Sequence, residues 1–341
     1  MNENKILHVM ILDKFLAPFI DFVDENFGRD NHHYVFITSE KYEYGLTPEH
    51  KVEFLHTDDD IFITLLKYMK IAKKIILHGL WRDKVDILLY FNQELLKKCY
   101  WVMWGGDFYF PEKQTWFRNQ IIKNIKNYIV SNQNDIKYIQ QNYNTLAESV
   151  YFSQLYPICI SYIENDLKLN TNNSLIKILV GNSATDTNRH EEIFDLLEKY
   201  KDCDIEIVVP LNYGSEEYRV KTIDLGHKIF DEKFKPIIDF INFEEYKKIL
   251  QNIDIGIFNH NRQQAGANIK LLAGYGKKLY ISKENSFYHE LKNDRIIVYD
   301  IENFDCKKIC HDIAMKNKKI ALEKYSLQVL LKSWIDIFNS K

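Results

Sequence analysis

The stretch IKILVGNSATDTN, Ile176–Asn188, is a short β-rich run that stops at Gly181, followed by small polar residues and then a helical pattern. A run of this length, closed by glycine and followed by Asn, Ser and Thr, reads as a buried strand turning into a helix N-terminus. Working outward, the same pattern recurs. Towards the C-terminus the strand candidates are Ile205–Pro210, Ile237–Phe240, Ile253–Phe258, Lys278–Ile281 and Ile296–Tyr299. Towards the N-terminus they are Ile6–Ile11, Tyr34–Thr38, Lys74–His78, Tyr100–Trp104, Tyr128–Ser131 and Val150–Phe152. Helical stretches separate several of them, among them Asp60–Ala72, Lys84–Leu96, Gln114–Asn124 and Asn134–Asn142. Alternation of this kind predicts βαβ units and parallel sheets, an α/β fold.

The chain has 341 residues, long for one core and comfortable for two. The polar segment Asn165–Ser174 has no periodicity and reads as an inter-domain linker. Residues 1–164 are therefore expected to form one Rossmann-like domain and residues 175–341 a second. The last helical stretch, Lys307–Phe338, is expected to pack back across both halves. Two doubly wound domains facing a cleft, with a C-terminal helix, describe the GT-B layout. Two-domain dehydrogenases and periplasmic binding proteins share it loosely. In such sheets ligands sit beyond the C-terminal ends of the strands.

The balance of 45 basic and 48 acidic residues, a net charge of −3, argues against a general nucleic-acid binder, which carries a basic excess. Five scattered cysteines, Cys99, Cys159, Cys203, Cys306 and Cys310, fit free thiols in a reducing compartment. Cys306, Cys310 and His311 lack a second ligand pair, so no metal is expected. Met1–Lys5 runs straight into a strand and does not read as a signal peptide. No apolar run reaches the roughly 18 residues of a membrane span. The expectation is a cytoplasmic protein.

Residues directly after the strands carry the chemistry. Gly181, Asn182 and Ser183 form a turn whose backbone N–H groups can approach a phosphate at a helix start, with Asn188 shortly after; an ordinary capped loop is the plain alternative. After Ile253–Phe258 comes a dense polar cluster, Asn259, His260, Asn261, Arg262, Gln263, Gln264 and, beyond Gly266, Asn268. Arg forks onto phosphate, and Gln and Asn read sugar hydroxyls. Tyr213 follows a third strand and can stack on a base or sugar ring. The absence of GxGxxG and of a P-loop lysine weakens oxidoreductase and NTPase readings. In the first half Asp107 follows Gly105-Gly106 and is the first choice for a general base, with His78 and Asp13 as reserves. The stretch Gln114–Tyr128 mixes Trp116 and Phe117 with Arg118, Lys123 and Lys126. It suits an anionic membrane surface, although a helix packed on a sheet fits equally well.

Taken together, ILHV at the start, HGLW (His78–Trp81), WVMWGGD (Trp101–Asp107), ILVGNSATDTNRH (Ile178–His190), PLNYG (Pro210–Gly214) and NHNRQQAGANI (Asn259–Ile269) resemble the TDP-N-acetylfucosamine:lipid II N-acetylfucosaminyltransferases, the family 56 glycosyltransferases also labelled 4-alpha-L-fucosyltransferases. The likeness runs from about residue 5 to residue 300. It implies a GT-B transferase moving 4-acetamido-4,6-dideoxygalactose from a dTDP donor to an undecaprenyl-diphosphate-linked saccharide, as in enterobacterial common antigen or O-antigen assembly. It further implies nucleotide binding in the second domain, acceptor binding in the first, no cofactor, and peripheral attachment to the cytoplasmic face of the inner membrane. Such enzymes stabilise the departing diphosphate with helix N-termini and basic side chains. A cofactor-independent nucleotide-sugar epimerase is the alternative enzyme, and a two-domain binding module the non-catalytic one.

Overall fold

Two sheets, each parallel throughout, organise the chain. The computed structural model describes residues 1–145, 147–152, 154–157 and 174–340. It divides into one unit of Met1–Ile158 with Leu327–Lys341, and another of Cys159–Ser326. The proposed linker, apart from Ser174, and Cys159 lie outside the described residues.

The first unit alternates β1 (Ile6–Met10), α1 (Leu16–Phe27), β2 (His32–Phe36), β3 (Glu53–Phe54), α2 (Leu66–Ile71), β4 (Lys74–His78), α3 (Asp83–Phe91), β5 (Cys99–Val102), α4 (Trp116–Asn124), β6 (Asn127–Val130), α5 (Gln133–Tyr143) and β7 (Ser149–Phe152). Its strand order is β3-β2-β1-β4-β5-β6-β7. The second unit runs β8 (Ile176–Val180), α6 (His190–Glu198), β9 (Ile205–Pro210), α7 (Glu216–Phe230), β10 (Phe234–Ile237), α8 (Phe243–Asn252), β11 (Ile255–Phe258), α9 (Gly266–Gly274), β12 (Lys278–Ile281), α10 (Ser286–Asn293) and α11 (His311–Lys324). Its order is β10-β9-β8-β11-β12. In both sheets the chain starts at a central strand, builds outward on one side, then crosses to the other. The central strands are covered on both faces and are therefore largely apolar: Leu7, Ile75, Trp101 and Ile178 are all fully buried.

Three expectations shift with physical cause. The strand expected at Ile237–Phe240 lies earlier, over Phe234–Ile237, and includes Pro236. As an edge strand it tolerates the missing N–H. Among the described residues Ile296–Tyr299 forms no ladder strand, and Tyr299 makes an isolated bridge to Tyr280. The long C-terminal helix breaks at Tyr325–Ser326, and its last part, α12 (Leu327–Asn339), belongs to the first unit.

That last point corrects the assignment of residues 175–341 to one domain. Trp334 is buried on Phe19 of α1 with ring centroids 4.9 Å apart, and its indole N–H donates to the Leu155 carbonyl at 3.2 Å. Buried Lys74, at the start of β4, donates to the Ile337 carbonyl and to Ser340, capping the end of α12. An ammonium at a helix C-terminus meets both the unpaired carbonyls and the negative end of the dipole. Burial lowers the Lys74 pKa to about 8. Among the described residues no helix is long and apolar enough to cross a membrane.

Candidate functional site

Parallel sheets of this order open a crevice where the chain reverses its direction of building. In the second unit that point lies between β8 and β11. Gly181 leaves β8 with φ of 67°, and a Cβ there would come within 2.5 Å of Asn188 Oδ1 and 2.7 Å of His190 Nε2. Only glycine permits this turn. The loop then closes on itself, because Asn188 Oδ1 accepts from the Asn182 backbone N–H at 2.9 Å.

His260, two residues past β11, is fully buried, and its Nε2 lies 3.0 Å from Asn182 Oδ1 and 2.8 Å from Asn188 Oδ1. Both partners are amide oxygens, so Nε2 carries the proton and donates. Burial holds the ring far below the ordinary histidine pKa, leaving it neutral. Gln264 completes the ring of polar groups. Its Nε2 donates to Asn182 Oδ1 at 3.0 Å and to Ser183 Oγ at 3.2 Å, and its Oε1 accepts from Thr187 at 2.7 Å. Asn182 Nδ2 donates to the Tyr213 hydroxyl at 3.0 Å. Tyr213 arrives there because Ala184 and Gly214 form a parallel bridge between the loops after β8 and β9.

Thus Gly181, Asn182, Ser183, Asn188, Tyr213 and Gln264, all singled out in the sequence, converge. The rest of the polar cluster has other work. Asn259 accepts from Arg189 and donates to Glu192. Arg262 donates to the Gln263 carbonyl at 2.8 Å while Gln263 itself is buried. Asn268 donates to the Tyr246 hydroxyl at 2.8 Å. Gly266 makes room for Phe287 rather than for a ligand: a Cβ would meet that ring at 2.4 Å. Next to it α9 starts on Ala265 at φ 63°, with no side chain capping it. A helix start of this kind favours negative charge.

His260 stood in the quoted cluster without being singled out. Period two along the strand (Phe258 and His260 share a side) marks it as inward-facing. Arg189, which joins the Asn259 carbonyl, Ser282 and Glu284, lay in the quoted stretch Ile178–His190 but was not singled out there. Its partners lie far along the chain.

The crevice of the first unit, between β1 and β4, is built differently. Asp107 is fully buried: Oδ2 accepts from the Leu80 N–H at 3.0 Å and Trp101 Nε1 at 2.8 Å, and Oδ1 from the Trp104 N–H at 3.1 Å. A carboxylate this engaged ties the loops after β4 and β5 together. His78 is equally committed, with Nδ1 3.0 Å from the Tyr156 hydroxyl and Nε2 3.1 Å from His8. Both side chains are thus held by partners inside the unit. Asp13 remains: it is partly exposed after β1, its Oδ1 accepts from the Phe15 N–H at 3.1 Å, and burial raises its pKa.

The expected basic surface is also revised. Trp116 is 57% exposed. It joins Tyr90, Phe91 and Phe117 in one aromatic cluster. Arg118, however, is buried and forks onto Asp83 at 2.9 Å and Asp86 at 3.0 Å. Its charge is neutralised inside the unit and cannot serve a membrane surface. Lys123 stays exposed and Lys126 partly so. Among the described residues no group of three or more His, Cys, Asp and Glu is placed to hold a metal ion.

The family model described as 4-alpha-L-fucosyltransferase, glycosyl transferase group 56, matches residues 11–338, and the chain belongs to that family. The protein is therefore a glycosyltransferase enzyme. Among solved structures it is similar to a glycosyltransferase from Rickettsia africae at 12% identity and TM-score 0.70, covering 99% of this chain and 98% of that one. It is also similar to HepE of Anabaena in complex with UDP and glucose, at 11% identity and TM-score 0.69, covering 99% and 100%. A putative UDP-N-acetylglucosamine 2-epimerase from Listeria monocytogenes matches at 11% identity and TM-score 0.60, covering 99% and 97%. At such identities the likeness speaks for the fold alone, which is the GT-B type.

Proposed function

We propose that the enzyme transfers a 4-acetamido-4,6-dideoxygalactose-type sugar from a dTDP donor to an undecaprenyl-diphosphate-linked saccharide in cell-surface polysaccharide synthesis. The observation that carries the donor half is the polar ring at the β8–β11 crossover, beside the uncapped start of α9. Amide and hydroxyl groups suit sugar hydroxyls, and a helix N-terminus with Arg262 suits a diphosphate leaving group. Tyr213, 39% exposed beside Asn182, offers a ring for the base or the sugar.

On the acceptor side, Asp13 takes the proton of the attacking hydroxyl as the new glycosidic bond forms and the bond to the diphosphate breaks. Its burial-raised pKa brings it closer to the proton affinity a base needs. Contact with the bilayer that carries the lipid acceptor falls to Trp116, Phe117 and Phe91, with Lys123 and Lys126 beside them.

The decisive experiment gives the purified enzyme dTDP-linked 4-acetamido-4,6-dideoxygalactose with and without an undecaprenyl-diphosphate-linked saccharide. The expected result is a longer lipid-linked saccharide formed only when both are present. Conversion of the donor to an epimer without acceptor would overturn the assignment in favour of an epimerase.

A further inference from the structure

Three histidines of the first unit lie in a diagonal line across adjacent parallel strands. His32 begins β2, His8 sits in the middle of β1, and His78 ends β4. In register His32 pairs with Ile6, two residues before His8, and His8 pairs with Ile76, two residues before His78. A two-residue step keeps the same face, so all three rings share one side of the sheet. None is more than 3% exposed.

Their nitrogens meet in sequence. Tyr156 OH lies 3.0 Å from His78 Nδ1, His78 Nε2 lies 3.1 Å from His8 Nδ1, and His8 Nε2 lies 2.9 Å from His32 Nδ1. Trp104 Nε1 donates to the Tyr156 oxygen at 2.8 Å. The rings stand in an apolar and aromatic shell, with Phe19 edge-on to His8 and His78, Tyr34 stacked on His8, and Phe338 of α12 edge-on to His32. The titratable groups that act on the line from outside it are Arg29 and Lys5 towards His32, Arg29 and His33 towards His8, and Asp13 and Asp107 towards Tyr156. Burial holds all three imidazoles neutral.

A neutral imidazole has one N–H and one bare nitrogen, so a line of three must point one way throughout. The indole can only donate. If Tyr156 answers by giving its own proton to His78 Nδ1, then His78, His8 and His32 all carry theirs on Nε2. A charged His8 or His32 would set two donors face to face, so neither can take up a proton without breaking the line. The upper end of the line touches the crevice. Phe15 stacks on Tyr156 with centroids 5.5 Å apart and planes 10° off parallel, and it meets Trp104 edge-on. The Phe15 N–H in turn holds Asp13 Oδ1.

We propose that Tyr156, His78, His8 and His32 form a hydrogen-bonded relay of fixed direction that positions Phe15 and, through it, the Asp13 carboxylate. These are positioning residues, and their role rests on the reading of Asp13 as the acceptor base. A carboxylate displaced by about 1 Å loses on the order of 10²-fold in rate, so the relay matters through geometry alone.

Tyr156→Phe is the sparing test, because it removes one oxygen and keeps the ring under Phe15. The expected result is a kcat about 10- to 100-fold lower with the donor KM unchanged, and no further loss when the change is added to Asp13→Asn. In the full-length enzyme labelled with ¹⁵N-histidine, His8, His32 and His78 should be neutral and Nε2-protonated at pH 7, with mixed tautomers in Tyr156→Phe. Unchanged kcat in Tyr156→Phe, or a proton on His8 Nδ1 in the unaltered enzyme, would overturn the relay. Should Asp13→Asn keep normal turnover while the histidine spectra are as expected, the base assignment falls and the role through Asp13 falls with it, leaving the direction of the line intact.

Discussion

The two sheets build their crevices at the same topological point and furnish them in opposite ways. In the first unit the crossover is lined by large rings and by polar atoms matched to dedicated partners: Asp107 to Leu80, Trp101 and Trp104, and His78 to Tyr156 and His8. In the second it is lined by small amides and hydroxyls that share partners. Asn182 Oδ1 alone accepts from both His260 and Gln264. A fully buried network inside a packed aromatic shell is stiff and costly to disturb. In the second, Asn182, Gln264 and Tyr213 are open to solvent in part, and such groups can release one bond to a ligand and keep others. The stiff crossover suits a base that must be held in place, and the shared one suits a polar ligand that arrives and leaves.

The largest effect expected from this contrast is catalytic. Asp13→Asn should lower kcat by about 10²–10⁴ with donor affinity nearly intact, read from initial rates at saturating donor. Asp107→Asn should behave differently. It puts an amide N–H where backbone and indole N–H groups already point, costing about 1–3 kcal/mol of stability, measured by urea unfolding. A stable Asp107→Asn enzyme with the same collapse in kcat would reverse the roles of the two carboxylates.

On the second crossover, Arg262→Ala should weaken donor binding at least about tenfold, equivalent to the roughly 1.5–3 kcal/mol of a charge-assisted hydrogen bond. Calorimetric titration with donor checks it. Unchanged affinity would remove Arg262 from the diphosphate site and leave the α9 start alone.

The smallest effect is a slope. The pKa of His32 is lowered to about 4 and that of His78 to about 3, from an ordinary value of 6.5. His190 of the second unit is likewise lowered to about 3. Below pH 6.5 the unfolded chain therefore takes up protons that the folded one refuses. Stability is complete above that pH and falls as the medium is acidified through the folded values. Each histidine contributes a slope approaching 1.4 kcal/mol per pH unit, as an order of magnitude. His32→Phe should flatten the curve by about one proton between pH 6 and pH 4.5, measured by urea unfolding across that range. An unchanged slope would mean that His32 titrates normally in the fold.

Much of this was legible in the residues. Lys74–His78, Ile176–Val180, Ile205–Pro210 and Lys278–Ile281 are strands with the bounds expected of them, because short apolar runs closed by turn residues have few alternatives in a parallel sheet. The convergence of the Gly181 loop with Gln264 and Tyr213 followed from each lying just past a strand end. Helix α1 was harder to see. It starts on Phe15 without a side-chain cap and carries Pro18 in its first turn, where proline is tolerated but gives no start signal of the usual kind.

What the sequence by itself determined, then, is the alternation of strand and helix, the parallel sheets, and the placing of polar clusters at strand ends. All of these are set by local periodicity and turn chemistry. What only the tertiary structure decided is the use to which equivalent-looking residues are put. Asp13 and Asp107 both follow strands, yet one is partly open and the other is saturated with donors from Leu80 and Trp101. Arg118 belongs to a basic, aromatic helix in the sequence, yet it faces inward because Asp83 and Asp86 lie on the neighbouring helix. The last helix, α12, returns to the first unit because Lys74, Phe19 and the histidine line offer its apolar face and its open carbonyls a place to close. The reason is common to all: burial and hydrogen-bond saturation depend on partners distant along the chain, and no local pattern encodes them.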